Sequence, residues 1–398
     1  MIESAENKRI LESPCRPEFK QPAPVIFGSG AIAELGGRVK ALNCRRVMVI
    51  YDEGIKKFGI AKKVTDALSS QGVDYIEYDR VVSDPPCSVV NEAGELALKN
   101  GVDCLIGVGG GSSMDTAKAV AIYLLDPVPV EKYILNPPPF VDTKTPVILV
   151  PTTAGTGSEC TTVAIISRPE LNVKWSAFVN TSLAIVDPTL TCTLPKDITA
   201  NTGLDALSHA AEAMTVNQWN YHSDLFGEAA IKKVWDNLYT AWSEPENLAA
   251  RTEMALAANW AGLAFNNPVT HIGHAMSDAF GCHFHTAHGH GCALALPVAL
   301  EVAAPAVPEK IKVIAGAIGL TTTGRETSEQ LGLLVADEIR KLMHKVELKP
   351  LASLGVTREE VAALAQDVVE NHLSDYCPVA VTAEVARNAL TRVYDTFK

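Results

Sequence analysis

The chain has 398 residues, with 34 basic against 46 acidic side chains, a formal net charge of −12 and an isoelectric point near 5.4. Apolar residues at 47% and charged residues at 20% make an ordinary globular composition and exclude an intrinsically disordered chain. The acidic balance lacks the basic footprint of a nucleic-acid binder, and the longest apolar stretch, 292–307, is too short and too interrupted by Pro297, Glu301 and Pro305 to span a bilayer.

The length predicts two or three domains. The opening MIESAENKRILESP has no apolar run of the kind a secretory signal needs. Nine cysteines, an odd number without a C-x-x-C pair, predict free thiols rather than a disulfide framework, and a cytoplasmic setting.

From about residue 25, strand and helix signals alternate. Helical periodicity through AIAELGGRVKAL (31–42) leads into a β-branched run at 46–51, and further strands are predicted at 74–78, 104–108, 146–150 and 183–186. Helices are predicted between most of them, including 60–71 and 112–125. Short apolar strands separated by helix-length segments predict βαβ units, hence a Rossmann-like parallel sheet covered on both faces. Beyond Asp197 strand signals nearly vanish, and helices are predicted at 204–216, 223–242, 248–265, 309–317, 328–343 and 358–370. The expected organisation is an α/β domain over 1–195 and an all-helical domain over 196–398. The junction of two domains is where small-molecule sites tend to lie.

Two glycine loops compete for a phosphate-binding role. Gly28-Ser-Gly30-Ala-Ile-Ala33 fits G-x-G-x-x-A, with Asp52 about twenty residues on, where the dinucleotide fingerprint has a ribose-binding acid. The strand before it is poor, with Pro22 and Pro24 flanking little more than 25–27. Gly109-Gly110-Gly111-Ser112 is better placed, because it follows a clean buried strand and opens a helix. Three glycines let the backbone approach an anion, and the helix start supplies N–H donors. The segment PTTAGTGSE (151–159) also follows a strand directly, at the end where open α/β sheets bind ligands. A carboxylate at Asp52 favours NAD(H), since it repels the 2′-phosphate of NADP(H).

Six of the ten histidines fall between 271 and 290: His271, His274, His283, His285, His288 and His290. Upstream, Asp205 and His209 are four apart on a predicted helix and project from one face. A carboxylate with several imidazoles and no paired thiolates suits a divalent first-row ion such as Fe²⁺ or Zn²⁺. His274 and His288 would be about 21 Å apart within one helix, so they can share an ion only if the chain reverses between them. Gly281, Gly289 and the HFHTAHGHG run provide for such a break. The residues alone leave open which of the six histidines bind.

Together GGGSSMDTAK (109–118), PTTAGTGSE (151–159), GLDALSHAAEA (203–213), the GHAM…AHG segment (273–289) and the opening FGSGAIAELG resemble the iron-containing, or group III, alcohol dehydrogenases. The resemblance implies that Asp205, His209, His274 and His288 hold the metal. It implies that Gly109, Gly110, Gly111, Ser112, Asp115, Thr152, Thr153 and Leu194 hold the cofactor, with Asp52 at the adenosine ribose. Phe265 matches a pocket-lining aromatic, and the early G-x-G-x-x-A loop loses its cofactor role.

The chain departs from the family where HAMxH usually stands, with Asp278 in place of the second histidine. His271 occupies a position where a small residue is common, and the stretch from Lys174 to Asp187 is short. We therefore expect Asp278, alone or with His271, to pass the substrate proton to solvent. The implied reaction is hydride transfer between NAD(H) and a small primary alcohol, diol or aldehyde, in a homodimer or larger homo-oligomer. A reductase of a small anionic aldehyde is the nearest variant, with the extra histidines as its support. An NAD- and metal-using lyase resembling dehydroquinate synthase is the alternative, but such enzymes need several basic residues on their substrate and 265–290 contains no Lys or Arg. A catalytically silent nucleotide- and metal-binding protein is the other.

Overall fold

A computed structural model describes residues 18–133, 140–168 and 173–398. The opening segment and the prolines at 137–139 lie outside the described residues. The described strands are β1 (Val25–Phe27), β2 (Arg46–Asp52), β3 (Asp74–Val81), β4 (Cys104–Gly109), β5 (Phe140–Val141), β6 (Val147–Pro151), β7 (Val163–Arg168), β8 (Val173–Val179) and β9 (Leu183–Val186). Six of them form a sheet in the order β1-β9-β6-β4-β2-β3, with every neighbouring pair parallel.

The β-branched runs explain this sheet. Val47, Val49 and Tyr51 pack on one face with Ile106, Val108, Ile148 and Val150. Met48 and Ile50 pack on the other with Leu105, Val147 and Leu149. Period-two alternation with both sets buried is what a helix-covered parallel sheet requires. Register aligns Ile50 with Gly107 and Gly109 with Pro151, so Asp52, Gly109 and Pro151 end their strands at one edge. The chain leaves β2 toward β3 on one side, and leaves β4 toward β6 on the other. That reversal is a topological switch point, where open α/β sheets take ligands.

Strands β5, β8 and β7 form a second, smaller sheet in which β7 and β8 are antiparallel. The sequence reading missed this hairpin: it weighed long apolar runs, and β7 and β8 carry Arg168 and Lys174 within shorter ones. Helix Gly111–Leu125 packs on β4 on one side and β7 on the other. Its residues from Ser113 to Tyr123 are all buried, which includes Asp115 and Lys118.

The remaining long helices are Lys196–Thr215, Tyr221–Ser243, Leu248–Phe265, Ile272–Phe284, His288–Ala303, Pro308–Ala317, Ser328–Lys345 and Ala383–Thr396. Helix Lys196–Thr215 begins directly after Pro195, eight residues before the predicted start. Thr327 and Gln330 form a reciprocal capping box at the start of Ser328–Lys345. Helix Ala383–Thr396, capped by Thr382, was not anticipated. By contact the chain divides into two compact units. One is Gln21–Gly203 with Thr240–Gly262, and the other is Leu204–Tyr239 with Leu263–Lys398 and the described residues up to Lys20. Residues 240–262 thus join the sheet-bearing unit although they lie in the helical half of the sequence.

Lys118 is completely buried, and its Nζ donates to Ser158 O (2.7 Å), Ser158 Oγ (2.8 Å) and Val163 O (2.7 Å). Asp115 lies 3.6 Å from it and accepts from Ser158 Oγ (2.6 Å) and Ile165 N (3.0 Å). Burial lowers the lysine's affinity for its proton and raises that of the carboxyl, and each partner opposes the shift of the other. The pair thereby clamps the 158–165 segment to the helix. Lys118→Met leaves Asp115 as an unpaired buried charge and is expected to cost about 3–5 kcal/mol of stability. Urea unfolding checks this, and Asp115→Asn combined with Lys118→Met is expected to recover part of the loss.

Candidate functional site

One candidate site is at the β2–β4 crevice of the sheet-bearing unit. Asp52 ends β2 and caps the short helix Glu53–Lys57, accepting from Ile55 N at 3.1 Å. Gly109 ends β4 with φ +146°, and a Cβ there would lie 2.7 Å from Ser113 Oγ and 3.6 Å from Asp52 Oδ2. Only glycine fits that backbone, and its bareness keeps the space beside the Asp52 carboxylate open. The adjacent 151–159 loop hydrogen-bonds back through Thr152 N to Gly109 O at 3.0 Å. A Cβ at Gly110 would come 3.6 Å from Thr153, and one at Gly111 would come 3.1 Å from Thr156. Thr153 Oγ1 and Ser113 Oγ are buried without hydrogen-bond partners. A bare glycine turn, a helix start and two uncommitted hydroxyls together fit a phosphate-bearing cofactor.

Two residues assigned to the cofactor have other surroundings. Both oxygens of Asp115 accept hydrogen bonds, from Ser158 and Ile165, so it fixes the 158–165 segment. Leu194 lines a surface cavity of about 600 Å³ with Cys192 and the 244–247 turn. Lys174 pairs with Asp84 at 2.8 Å. The early Gly28–Gly30 loop follows β1, at the sheet margin three strands from β4.

A second candidate site lies in the helical unit. Asp205 and His209 project from helix Lys196–Thr215, His274 from Ile272–Phe284 and His288 from His288–Ala303. One donor atom from each of the four lies within 4.8 Å of the others. The reversal that His274 and His288 require is made at 285–287, where His285 adopts φ +55° and ends the first helix. The His209 and His274 ring centroids are then 4.6 Å apart and those of His274 and His288 are 5.5 Å apart. His274 Nε2 and Asp205 Oδ1 are buried without hydrogen-bond partners. Burial pushes the Asp205 carboxyl up to about 6, against the opposing pull of His274. A cation held among these atoms removes both deficits, so the donor set fits a divalent metal.

A family model for the iron-containing alcohol dehydrogenases matches residues 22–188, and one for the carboxy-terminal part of the same family matches 199–394. The chain belongs to the iron-containing alcohol dehydrogenase family. It is similar to the choline dehydrogenase of Bacillus subtilis, 33% identical over 358 residues and covering 89% of each chain. Among solved structures it resembles an alcohol dehydrogenase from Oenococcus oeni, with a TM-score of 0.89, 30% identity and coverage of 95% of this chain and 100% of that one. A sulfoacetaldehyde reductase from Bifidobacterium kashiwanohense, solved with NAD⁺, superposes with a TM-score of 0.86 and 28% identity over 95% of this chain and 99% of that one. The protein is therefore an oxidoreductase of this family, with its two-part fold.

One residue of this dehydrogenase's site escaped the sequence reading. Glu212 is completely buried, and its Oε1 accepts from His274 Nδ1 at 2.7 Å. Its Oε2 accepts from the backbone N–H of His271 (2.8 Å) and Gly273 (3.2 Å) at the start of helix Ile272–Phe284. A Cβ on Gly273 would collide with that carboxylate. Burial opposes the charge, but His274, His271 and the His271 N–H outweigh it and hold the Glu212 carboxyl down at about 2. The bond to Nδ1 fixes the His274 tautomer and leaves Nε2 as the donor facing the cluster. The signal was available, because 205, 209 and 212 follow i, i+4, i+7 on one helix face.

The other predicted residues separate. Phe265 stacks on His209, with centroids 4.3 Å apart and planes at 15°. Asp278 is 4.0 Å from His288 Nδ1, accepts from Asn371 Nδ2 at 3.1 Å and keeps 22% of its side chain exposed. His271 is enclosed, with Nε2 sharing a 2.9 Å hydrogen bond with Thr215 Oγ1, so it cannot hand a proton to water. Burial of Cys292, next to the cluster, pushes its thiol up to about 12. Glu212→Gln is expected to weaken metal binding about 10- to 100-fold with the fold retained, as read by chelator competition alongside circular dichroism.

Proposed function

We propose that the protein interconverts a small primary alcohol or diol and its aldehyde by hydride transfer to and from NAD(H). The convergence of one carboxylate and three imidazoles within 4.8 Å carries the proposal. Asp205, His209, His274 and His288 would hold the ion, with Fe²⁺ the expected occupant and Zn²⁺ an accepted substitute. When bound, such an ion supplies a Lewis acid that polarises a carbonyl and favours the anionic form of an alcohol. Glu212 aims the His274 ring, and Phe265 covers one face of His209. The 109–112 turn and Thr152-Thr153 hold the cofactor phosphates, and Asp52 receives the ribose and disfavours a 2′-phosphate. We assign the cofactor domain to 1–195 and the metal domain to 196–398, apart from 240–262, which pack with the sheet-bearing unit, in a cytoplasmic homo-oligomer.

Relatives of the chain include a sulfoacetaldehyde reductase, which keeps the anionic-aldehyde variant as the second reading, but three of the extra histidines have other partners. His271 is enclosed, His290 hydrogen-bonds Lys349 O at 2.6 Å, and His283 pairs with Asp367 at 3.2 Å. The charged side chains nearest the ligand histidines from outside the set are instead carboxylates, Glu212 at 2.7 Å from His274 and Asp278 at 4.0 Å from His288. A screen of NADH oxidation over neutral, cationic and anionic aldehydes, on protein loaded separately with Fe²⁺ and Zn²⁺, is expected to give turnover with the neutral aldehydes. Stoichiometric binding of NAD⁺ and metal without turnover on any of them would refute the proposal.

Proton exchange with solvent is assigned to Asp278, which sits on the Nδ1 side of His288 and is partly exposed. Asp278→Asn is expected to shift the pH–rate profile while metal content stays at wild-type level. An unchanged profile removes Asp278 from that role.

A further inference from the structure

Of the four candidate metal ligands, Asp205, His209 and His274 are buried, and only His288 is open to solvent, with 35% of its side chain exposed. A small molecule therefore reaches the cluster along the His288 edge. Asp278 stands at that edge. It lies one turn after His274 on helix Ile272–Phe284 and shares its face, and its Oδ1 is 4.0 Å from His288 Nδ1. Asn371 Nδ2 donates to Oδ2 at 3.1 Å, which positions the carboxylate without neutralising it. Oδ1 has no hydrogen-bond partner among the described residues and is left to accept from a ligand.

The surroundings add to this charge rather than cancel it. Helix Ile272–Phe284 packs against His288–Ala303, the short helix Ala365–Glu370 and the turn His372–Tyr376. These four elements contain no lysine or arginine, and their acids besides Asp278 are Glu301, Asp367, Glu370 and Asp375. Arg340 and Arg392 pair with Glu301, and His283 pairs with Asp367, so Asp278 has no cationic side chain beside it except the His288 ring. A negative wall with an open edge draws a cationic ligand and repels an anionic one. We propose that Asp278 is a specificity-determining residue. It favours primary alcohols and aldehydes that carry an ammonium group a few bonds from the reacting carbon, and disfavours those that carry an anion. The inference rests on the alcohol–aldehyde reading above and names the substrate class within it.

The test compares three alcohols of similar size at neutral pH on the metal-loaded full-length chain: propanolamine with its terminal ammonium, the neutral isostere n-butanol, and β-hydroxypropionate. Proton exchange through Asp278 acts on every substrate alike, so a ratio between two substrates isolates the effect of charge. The kcat/KM ratio of propanolamine to n-butanol is expected to fall about five- to tenfold in Asp278→Asn. Asp278→Glu is expected to restore part of it, and added salt to lower it in the wild type. Calorimetric titration of the same alcohols without cofactor is expected to show the same loss of propanolamine binding relative to n-butanol. A ratio unchanged by Asp278→Asn, or a wild-type preference for β-hydroxypropionate over n-butanol, overturns the proposal and leaves the alcohol–aldehyde reading standing. Absence of turnover on all three overturns that reading, and the calorimetric comparison then decides on Asp278 by itself. Should Asp278→Asn fail to fold, the salt dependence of the wild-type ratio decides.

Discussion

One buried carboxylate organises the histidine cluster. Glu212 enters from helix Lys196–Thr215 and meets the amino-terminal end of Ile272–Phe284, where unpaired N–H groups and the helix dipole favour an anion. A charge buried this deeply is tolerated only when its lone pairs are filled, and here backbone amides and an imidazole fill them. The same contact sets the distance between two helices and the rotation of the His274 ring. Gly273 follows from that contact, since no side chain fits where the carboxylate approaches. The ligand geometry is thus inherited from one helix-capping interaction.

The sheet-bearing unit solves a parallel problem with different parts. Its strands end together because their register is locked by apolar packing on both faces, and the ends of β2, β4 and β6 supply an acid, a glycine turn and a hydroxyl-rich loop. The loop would be free to drift without the Lys118–Asp115 clamp beneath it. In both units, a buried charged residue holds neighbouring residues in place.

The parallel sheet was legible because β-branched runs at fixed spacing have one economical solution, and the helical half because its periodicity is long and regular. Asp205 and His209 were legible from i, i+4 spacing, and the break between His274 and His288 from Gly281 and the polar run after it. What the sequence concealed were long-range pairings. The β7–β8 hairpin mixes charged residues into short strands, so its signal resembles a loop. Glu212 reads as one more acid on a helix until the start of a helix sixty residues later is brought onto it. Asp115 reads as part of a glycine-rich motif, and its bonds to Ser158 and Ile165 do not show in the spacing. His271 looked like a relay by sequence proximity, yet it is enclosed against Thr215.

The reversal at His285 carries a consequence for how the protein meets its environment. The donor atoms come from three helices, spread from position 205 to 288, so no portion of the extended chain offers a preassembled cage. Whatever affinity the ion has for the native state is then added in full to conformational stability. A thousandfold excess of free ion over its dissociation constant deepens the native well by about 4.1 kcal/mol. A bound ion would thereby make the native chain harder to unfold and to cleave.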